Sequence, residues 1–309
     1  MYDMIIVGGG PAGLTASIYG RRAGKEVVVI EKAAFGGQIT FSPNVENIPG
    51  FTSLSGNEFA DKLVDQAISQ EVAFESAEVE KVEVIPDDSA RGHFFRVTTE
   101  DAVFEGRSLI IATGAKHRLL GLPKEETFVG NGISFCAVCD GAFYKDQVVG
   151  LVGGGNSALV EAVLLKDLVK KLYIFQDLDF LTGEKKLQEQ LIGKDNVEII
   201  TGTRVTGYLG EDELKGVSIE KTATGEKREI PLDGVFVAIG LVPQNEPFAE
   251  LLELDGRGYA AADETCKTKT PGVFVAGDCR TKKVRQVATA AGDGAVAALA
   301  AVDYLEGRA

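Results

Sequence analysis

Short apolar runs, each ending at a glycine turn or a polar residue, punctuate the chain. The first run, Met4–Val7, passes directly into the glycine turn Gly8–Gly13, which opens a helix-like segment at Leu14. A second apolar run, Val27–Ile30, follows that segment and ends at Glu31. Strand, glycine turn, helix and strand in this order predict a βαβ unit of the kind that binds a dinucleotide.

The same arrangement occurs again in the second half of the chain. The apolar run Val148–Val152 leads into the glycine turn Gly153–Ala158, a helix-like segment and the apolar run Leu172–Phe175, which ends at Gln176. The distance along the chain from the first glycine to this polar residue is the same in both copies. The internal repeat predicts two nucleotide-binding halves.

Each repeat is followed by alternating, turn-punctuated segments that predict a small β-meander. The meander segments are Val79–Ile85 and His93–Thr99 in the first half, and Val197–Leu209 and Val217–Thr222 in the second. Each meander leads into an apolar strand with a glycine at its tip, Gly114 in the first half and Gly240 in the second.

A last strand and helix have no counterpart in the second half. The strand ends at Gly277-Asp278, and an alanine-rich helix follows from about Gln286 to Tyr304. We expect this segment to return to the first domain. The predicted fold class is α/β, with two Rossmann-like (three-layer ββα) nucleotide-binding domains, each carrying a small β-meander. The first domain is discontinuous and covers residues 1–114 and 245–309, and the second covers 115–244.

Size and charge narrow the function classes. The 309 residues, 45% of them hydrophobic, suffice for two buried cores. A formal net charge of −14 repels phosphate backbones, so nucleic acid is not an expected partner. No stretch approaches the roughly 20 apolar residues needed to span a bilayer, and no basic leader precedes the first strand. We therefore expect a cytoplasmic protein without a membrane partner.

Of the four cysteines, only Cys136 and Cys139 have the Cys-x-x-Cys spacing. A structural zinc site would need two further ligands, and His93 and His117 are the only histidines, so we predict no metal site. The spacing favours a reversible disulfide whose thiolate form exchanges with a partner disulfide. Asp140 follows directly and is the candidate acid for the leaving thiolate, with a helix cap or turn as its alternative role.

In content and order, these motifs resemble the low-molecular-weight thioredoxin reductases of bacteria along nearly the whole chain. The further matching segments are Gly36-Gly37-Gln38, Glu46–Gly50, Ala112-Thr113-Gly114, Gly277-Asp278 and Arg285-Gln286-Val287. The resemblance implies a homodimeric flavoenzyme that binds FAD at the first glycine turn and a nicotinamide nucleotide at the second, and that reduces a thioredoxin-like protein. It also implies that Cys139 lies nearer the flavin, whereas Cys136 attacks the disulfide of the partner.

The FAD site is assigned to the first glycine turn, the end of the second strand and the segments matched by the resemblance. Amides of the turn would bind the pyrophosphate, and Glu31 would accept hydrogen bonds from ribose hydroxyls. By resemblance, Asp278 would bind the ribityl chain. The predicted FAD residues are Gly8, Gly10, Pro11, Ala12, Gly13, Glu31, Lys32, Gly36, Gly37, Gln38, Thr40, Asn47, Val79, Thr113, Gly114, Gly277, Asp278, Arg285, Gln286 and Val287.

The predicted nicotinamide site departs from the resemblance. Family members that use NADPH carry arginines for the 2′-phosphate at the end of the second strand of this domain, where this chain has the run Gln176–Asp179. The acids of this run would repel that phosphate, so we expect NADH to be preferred over NADPH. The predicted nicotinamide residues are Gly153, Gly155, Asn156, Ser157, Ala158, Gln176 and Asp177.

Three other functions use the same motifs. The missing arginines are also typical of ferredoxin-dependent flavin thioredoxin reductases, in which ferredoxin is the electron donor and the nucleotide site is a relic. Flavin dithiol oxidases, which pass electrons to oxygen, lack them as well. The non-enzymatic alternative is a flavin-bound redox sensor.

Overall fold

The computed structural model describes residues 1–42, 45–88 and 92–308, so Ala309, the end of the predicted C-terminal segment, lies outside the described residues. The strands are β1 (Tyr2–Val7), β2 (Val27–Glu31), β3 (Ala73–Ser76), β4 (Val79–Pro86), β5 (His93–Thr99), β6 (Val103–Ile111), β7 (Ala115–His117), β8 (Ile133–Ser134), β9 (Val148–Val152), β10 (Lys171–Phe175), β11 (Val197–Ile200), β12 (Thr203–Gly210), β13 (Leu214–Lys221), β14 (Lys227–Pro231), β15 (Gly234–Val237), β16 (Leu241–Pro243) and β17 (Val273–Val275).

The α-helices are α1 (Pro11–Arg22), α2 (Gly56–Ser69), α3 (Glu125–Phe128), α4 (Ala137–Asp140), α5 (Asn156–Leu165), α6 (Lys185–Glu189) and α7 (Val287–Leu305). Short 3-10 helices cover Gly37–Phe41, Gly141–Tyr144, Glu246–Phe248 and Gly277–Cys279. In the described part of the chain, no helix is both long enough and apolar enough to cross a membrane.

The chain divides into two compact units. The first comprises Met1–Thr40, Ile48–Lys116 and Val242–Ala309, and the second comprises Phe41–Asn47 and His117–Leu241. The C-terminal segment therefore returns to the first unit, which is discontinuous. Phe41–Asn47 groups with the second unit, although it falls within the range 1–114 predicted for the first domain.

The described residues of the first unit form a seven-stranded sheet in the order β3-β2-β1-β6-β5-β4, with β17 beside β6. The first half of β6 pairs antiparallel with β5, and its second half pairs parallel with β1 and β17. Strand β6 thus belongs both to the predicted meander, β4 to β6, and to the parallel part of the sheet. This continuity anchors the meander to the core.

The central parallel strands of the first unit, which are β1, β2, β17 and the second half of β6, are largely buried on both faces. Ile6 packs into a cluster that contains Leu14 of α1 and Ala297 of α7. Its neighbour Ile5 packs into the cluster on the other face, which contains Val97 of β5. Successive side chains of a strand point to opposite faces, so a continuous apolar run is the expected pattern for a strand covered on both sides. The helices form one layer and the meander the other, which confirms the predicted fold class.

The second unit repeats this plan with separate sheets. Its described residues form the five-stranded parallel sheet β11-β10-β9-β15-β8 and the three-stranded antiparallel sheet β12-β13-β14. Leu151 and Ile174 pack with Leu159 of α5 on one face of the parallel sheet. Val235 packs in a cluster with Val217 of the meander.

One segment of this unit differs from the sequence prediction. The alternation over Val197–Leu209 predicts a single meander segment, but its first part, β11, pairs in parallel with β10. Only β12 joins the meander, after a turn at Gly202, which has φ +58°. Alternation indicates a half-buried strand and does not distinguish the edge of a parallel sheet from a meander strand. That part of the prediction is wrong for this reason.

Candidate active site

The first glycine turn packs its backbone closely against its neighbours. Gly8 adopts φ +110°, and a Cβ atom there would lie 2.3 Å from the carbonyl oxygen of Ala112. A Cβ atom on Gly13 would lie 1.8 Å from the carbonyl oxygen of Gly8. Only glycine fits these two positions. The turn leads into α1 at Pro11, and the first turn of a helix offers N–H groups that can bind a phosphate.

Glu31 ends β2 beside this turn. Its Oε2 accepts a hydrogen bond from the Gly9 amide at 2.7 Å, and its Oε1 accepts one from the Ala33 amide at 2.8 Å. A carboxylate oxygen can accept more than one hydrogen bond, so both oxygens can also accept from ribose hydroxyls. The neighbouring Lys32 forms an ion pair with Glu78 at 2.9 Å.

Asp278 follows β17 on the 3-10 helix Gly277–Cys279. Its Oδ1 is buried and, among the described residues, has no hydrogen-bond partner. Burial raises the pKa of Asp278, while the cations Lys282 and Arg285 act in the opposite direction. Leaving a buried acceptor unsatisfied costs about 1–3 kcal/mol, and a ligand hydroxyl would remove that cost. Asp278 therefore fits the contact with the ribityl chain of FAD that the family resemblance implies.

A cluster of charged residues connects the segment around Asp278 to α7. Asp293 on α7 accepts hydrogen bonds from the Gly277 amide at 3.0 Å and from Lys282 Nζ at 2.9 Å. Its two carboxylate oxygens also accept from Nε and Nη2 of Arg280, both at 2.8 Å. Because the cluster binds residues on both sides of Asp278, it fixes the backbone at Asp278.

The predicted residues Arg285 to Val287 lie at the start of α7. The guanidinium of Arg285 lies 4.2 Å from the ring centroid of Tyr259 and donates to the carbonyl oxygens of Asp278 and Arg280. Gln286 is the N-cap residue of α7, and Val287 is its first residue. These contacts order the chain next to Asp278.

The segment after β2 returns to the first glycine turn. The Gly36 amide donates to the Gly9 carbonyl oxygen at 2.8 Å. The side-chain amide of Gln38 donates to the Ala115 carbonyl oxygen, and the Thr40 hydroxyl donates to the carbonyl oxygen of residue 37, a glycine with φ +67°. The predicted residues Gly36, Gly37 and Gln38 are thus brought to the turn and to the chain beyond β6.

The remaining predicted FAD residues have different surroundings. Val79 is buried in the core at the start of β4. Thr113 and Gly114 follow β6, and the Thr113 hydroxyl lies 3.4 Å from Oδ1 of the buried Asn245. Asn47 groups with the second unit, whereas the other predicted FAD residues belong to the first.

The second glycine turn has the same backbone plan. Gly153 adopts φ +130°, and a Cβ atom there would lie 2.7 Å from the carbonyl oxygen of Ala238. Ala158 occupies the position that corresponds to Gly13 of the first turn, and it is fully buried. Gly155 is the N-cap of α5, and Asn156 and Ser157, its first residues, are exposed. The geometry fits a phosphate-binding turn.

The chain after β10 folds over this second turn. The amides of Thr182 and Gly183 both donate to the Gly154 carbonyl oxygen at 2.9 Å. The Glu184 amide donates to Oδ1 of Asn156 at 2.7 Å, and Asn156 Nδ2 donates to Oε1 of Glu184 at 3.3 Å. A carboxylate therefore lies beside the first residue of α5.

Gln176 occupies the position in this unit that Glu31 has in the first. It is 6% exposed, and its Nε2 donates to the Phe180 carbonyl oxygen at 3.4 Å. Asp177 and Asp179 beside it are exposed. The sequence from Gln176 to residue 184 contains no lysine or arginine, so this strand end offers an amide and carboxylates to a ribose.

Cys136 and Cys139 form a disulfide, with their Cα atoms 5.3 Å apart. Cys136 caps α4, because its Sγ accepts from the Cys139 amide at 3.2 Å and its carbonyl oxygen accepts from the Asp140 amide at 3.0 Å. Val138 between the cysteines is 54% exposed, so the turn is accessible from solvent. The pair has the connectivity that the spacing predicts.

The two other cysteines are reduced and buried. Burial raises the pKa of the Cys266 thiol to about 12 and that of the Cys279 thiol to about 11. Thiols with such pKa values are poor nucleophiles at neutral pH, because the thiolate is the reactive form. Disulfide exchange is thereby restricted to the Cys136–Cys139 pair.

Asp140 is the last residue of α4 and directly follows Cys139. Its Oδ2 accepts a hydrogen bond from the Ser134 hydroxyl at 2.5 Å, and its Oδ1 is buried without a partner among the described residues. Burial raises the pKa of Asp140, and the bond from Ser134 opposes that shift. A raised pKa keeps a carboxyl group protonated at higher pH, which is the state that a proton donor requires. The Ser134 oxygen also accepts from the Cys136 amide at 3.3 Å.

A second carboxyl group lies at this turn, and sequence reasoning missed it. Glu161 on α5 accepts a hydrogen bond from the Ala137 amide. Burial raises the pKa of Glu161, the hydrogen bond from the Ala137 amide opposes that shift, and the charge of Asp140 adds to it. Glu161 is the one charged residue of α5. A charge on an otherwise apolar helix needs a partner, and that pattern was the available signal.

Two glycine turns that open helices, together with a disulfide followed by a partly buried acid, define a dinucleotide-dependent disulfide oxidoreductase. The chain belongs to the family described as pyridine nucleotide-disulphide oxidoreductase, which matches residues 2–294.

Within this family, the chain is an oxidoreductase of the thioredoxin reductase type. It is 39% identical to a thioredoxin reductase of Listeria monocytogenes over 99% of this chain and 94% of that protein. It is 40% identical to a 34.2 kDa protein in the rubredoxin operon of Clostridium pasteurianum, over 99% and 98% of the two chains. The crystal structure of thioredoxin reductase from Streptococcus pyogenes matches with a TM-score of 0.91 and 39% identity, covering 99% of each chain.

Proposed function

We propose that this chain transfers reducing equivalents from NADH, in preference to NADPH, to a thioredoxin-like protein by way of the Cys136–Cys139 disulfide, with FAD bound in the first unit. The observation that carries the proposal is the disulfide itself, in a solvent-accessible turn directly before a partly buried acid with a raised pKa. The relatives named thioredoxin reductase support the same reaction.

The residues of the first unit suit FAD. Backbone amides at the start of α1 would bind its pyrophosphate, Glu31 its ribose hydroxyls and Asp278 its ribityl chain. Bound FAD would supply the two-electron chemistry that links a nicotinamide to a disulfide. The unsatisfied Oδ1 of Asp278 is the observation that favours a hydroxyl-bearing ligand here.

The residues of the redox turn, Cys136–Asp140, suit disulfide exchange. In the reduced enzyme, the Cys136 thiolate would attack the partner's disulfide, and the thiolate that leaves would take a proton from Asp140. Cys139 would then attack the sulfur of Cys136 and release the second thiol of the partner. The products are a dithiol and the original Cys136–Cys139 disulfide, so the electrons balance.

NADH is the proposed donor because of the strand end at Gln176. An amide or a carboxylate at this position binds an unphosphorylated ribose, whereas a 2′-phosphate needs cations. Asp177 and Asp179 would repel the additional phosphate of NADPH.

A stopped-flow experiment tests the donor. The oxidised holoenzyme is mixed anaerobically with NADH, NADPH or reduced ferredoxin, and loss of the flavin absorbance is followed. We expect NADH to reduce the flavin at least tenfold faster than NADPH at equal concentration. Fast reduction by NADPH, or none by NADH, would contradict the proposal. Turnover of an oxidised thioredoxin, measured in the same preparation, tests the acceptor.

A second candidate donor is ferredoxin. The observation that favours it is the contact of Glu184 with Asn156, which sets a carboxylate beside the start of α5, where a pyrophosphate would bind. In the stopped-flow experiment, reduction by ferredoxin and by neither nucleotide would identify this candidate.

We also propose that the protein acts in the cytoplasm as a homodimer. Two reduced, buried cysteines suit a reducing compartment. Val296 and Leu299 on α7 are 40% and 50% exposed, and such apolar side chains on one helix suit a contact with a second copy. Light scattering during size-exclusion chromatography would test the oligomeric state.

A further inference from the structure

Glu161 is unusual among the charged residues of the second unit. It is the one titratable residue on α5, the helix that begins at the second glycine turn, and yet its side chain reaches the redox turn. Its carboxylate accepts the amide of Ala137, which lies between Cys136 and Cys139. A contact on this backbone acts directly on the geometry of the disulfide.

The surroundings of Glu161 offer it no cation among the described residues. Asp140 on α4 is the charged group that acts on it, and Tyr144 beyond α4 has its pKa raised to about 12 by burial and by the charge of Asp140. Lys171 of β10 pairs with Glu198 instead. The charged residues on α6 are Lys185, Lys186 and Glu189, all exposed, and β9 has no titratable residue.

Asp140 and Glu161 are partly buried carboxyl groups that interact electrostatically, so they cannot both ionise easily. Ionisation of one raises the proton affinity of the other, so the pair retains one proton to higher pH than an isolated carboxyl would. That proton is held next to the cysteines, where the exchange reaction needs an acid.

We propose that Glu161 is a positioning residue for the Cys136–Cys139 exchange reaction: it fixes the backbone of the redox turn through Ala137 and, together with Asp140, retains the proton that the leaving thiolate takes. This inference rests on the proposed disulfide exchange. The Cys136 thiolate attacks the partner's disulfide, and the pair gives its retained proton to the first thiolate that is released. The Cys139 thiol gives its proton to the second thiolate when it attacks the sulfur of Cys136. No other proton source is required in this step.

The test compares two disulfides that differ in their need for a proton. Bis(2-hydroxyethyl) disulfide releases an alkyl thiolate, which is protonated at neutral pH, whereas Ellman's reagent releases an aromatic thiolate that is stable without a proton. The holoenzyme is reduced anaerobically with dithionite, and its exchange with each disulfide is measured between pH 6 and pH 9. Glu161→Gln keeps an acceptor for the Ala137 amide and removes the charge.

We expect Glu161→Gln to slow exchange with the alkyl disulfide at pH 8 by on the order of tenfold, since one pKa unit changes the protonated fraction tenfold. Without the charge of Glu161, Asp140 loses its proton at lower pH, so the high-pH decline of the rate should move down by roughly one unit. Exchange with Ellman's reagent should change less than twofold. Glu161→Ala, which also removes the acceptor, should slow both reactions.

Glu211→Gln, the same change at an exposed residue of this unit, is the matched control and should behave as the wild type. Equal slowing of both disulfides by Glu161→Gln, or an unchanged pH profile, would overturn the inference. A melting temperature within a few degrees of the wild type excludes unfolding as the cause. A wild-type enzyme that exchanges with the alkyl disulfide but does not reduce thioredoxin would contradict the proposed function and still allow this test.

Discussion

Partly buried carboxyl groups with raised pKa values mark both places where the chain is expected to do chemistry. Asp278 in the first unit, and Asp140 and Glu161 in the second, have pKa values that burial raises. A pKa that is higher in the folded than in the unfolded chain means that stability is lost as the pH rises through the folded-state value. These residues therefore make folding less favourable at neutral pH, and a function in binding or proton transfer explains their presence.

Asp278 offers the sharpest test of the FAD site at the scale of one residue. Replacing it by alanine removes the buried carboxylate that would bind the ribityl chain, a charged hydrogen bond worth about 1.5–3 kcal/mol. We expect Asp278→Ala to weaken FAD binding by roughly 10- to 100-fold. The dissociation constant is measured by titrating the apoprotein with FAD and following the flavin fluorescence.

The apoprotein of this variant should be as stable as the wild-type apoprotein or more stable, because the change removes a carboxylate that burial disfavours. Glu250→Ala, an exposed site in the same unit, is the control and should leave binding unchanged. Unchanged FAD affinity in Asp278→Ala would remove the residue from the predicted site.

Residues of the redox turn differ in how far the sequence could predict them. Cys136, Cys139 and Asp140 are neighbours in sequence, so their spacing predicts a reversible disulfide with a candidate acid beside it. Ser134 and Glu161 act through contacts that the fold creates, from β8 and from α5. No local pattern connects Glu161 with Ala137, which is 24 residues away in sequence.

At the scale of elements, α1 and α7 pack unusually closely. A Cβ atom on Gly294 of α7 would lie 2.1 Å from the carbonyl oxygen of Ala12 in α1. Backbone atoms cannot yield as a flexible side chain does, so glycine is required at this contact. Since α1 opens at the first glycine turn, this contact also positions the turn.

Gly294→Ala should therefore lower the free energy of unfolding by about 1–3 kcal/mol, a typical cost of overpacking. Gly292→Ala is the matched control on the same helix, because a Cβ atom there meets nothing within 4 Å. That variant should stabilise the protein by about 0.5–1 kcal/mol through the higher helix propensity of alanine. Denaturant unfolding of both variants measures the difference, and equal effects would refute the close contact.

At the scale of the whole molecule, two units of similar plan carry different chemistry. The first has an acid at the end of its second strand and an unsatisfied acid at Asp278, while the second has Gln176 and the redox disulfide. A repeat of the backbone thus supports two different sites. The proposed function requires that electrons leave the protein through Cys136.

A trapping experiment tests that route. Cys139→Ser leaves Cys136 free to attack but removes the thiol that would resolve the mixed disulfide. Mixed with a single-cysteine thioredoxin activated as an aromatic disulfide, this variant should form a stable covalent complex on a non-reducing gel. Cys136→Ser should form at least tenfold less, and the reverse result would exchange the assigned roles of the two cysteines.

The sequence by itself determined the features that depend on neighbouring residues. Apolar runs, glycine turns and the Cys-x-x-Cys spacing are local, and they predict the two βαβ units and the disulfide because strand, turn and helix preferences act over a few residues. Tertiary structure alone decided which sheet β11 joins, and it alone brought Glu161 to Ala137 and Asp293 to Gly277. Those contacts join residues distant in sequence, and only the packing of whole elements selects them.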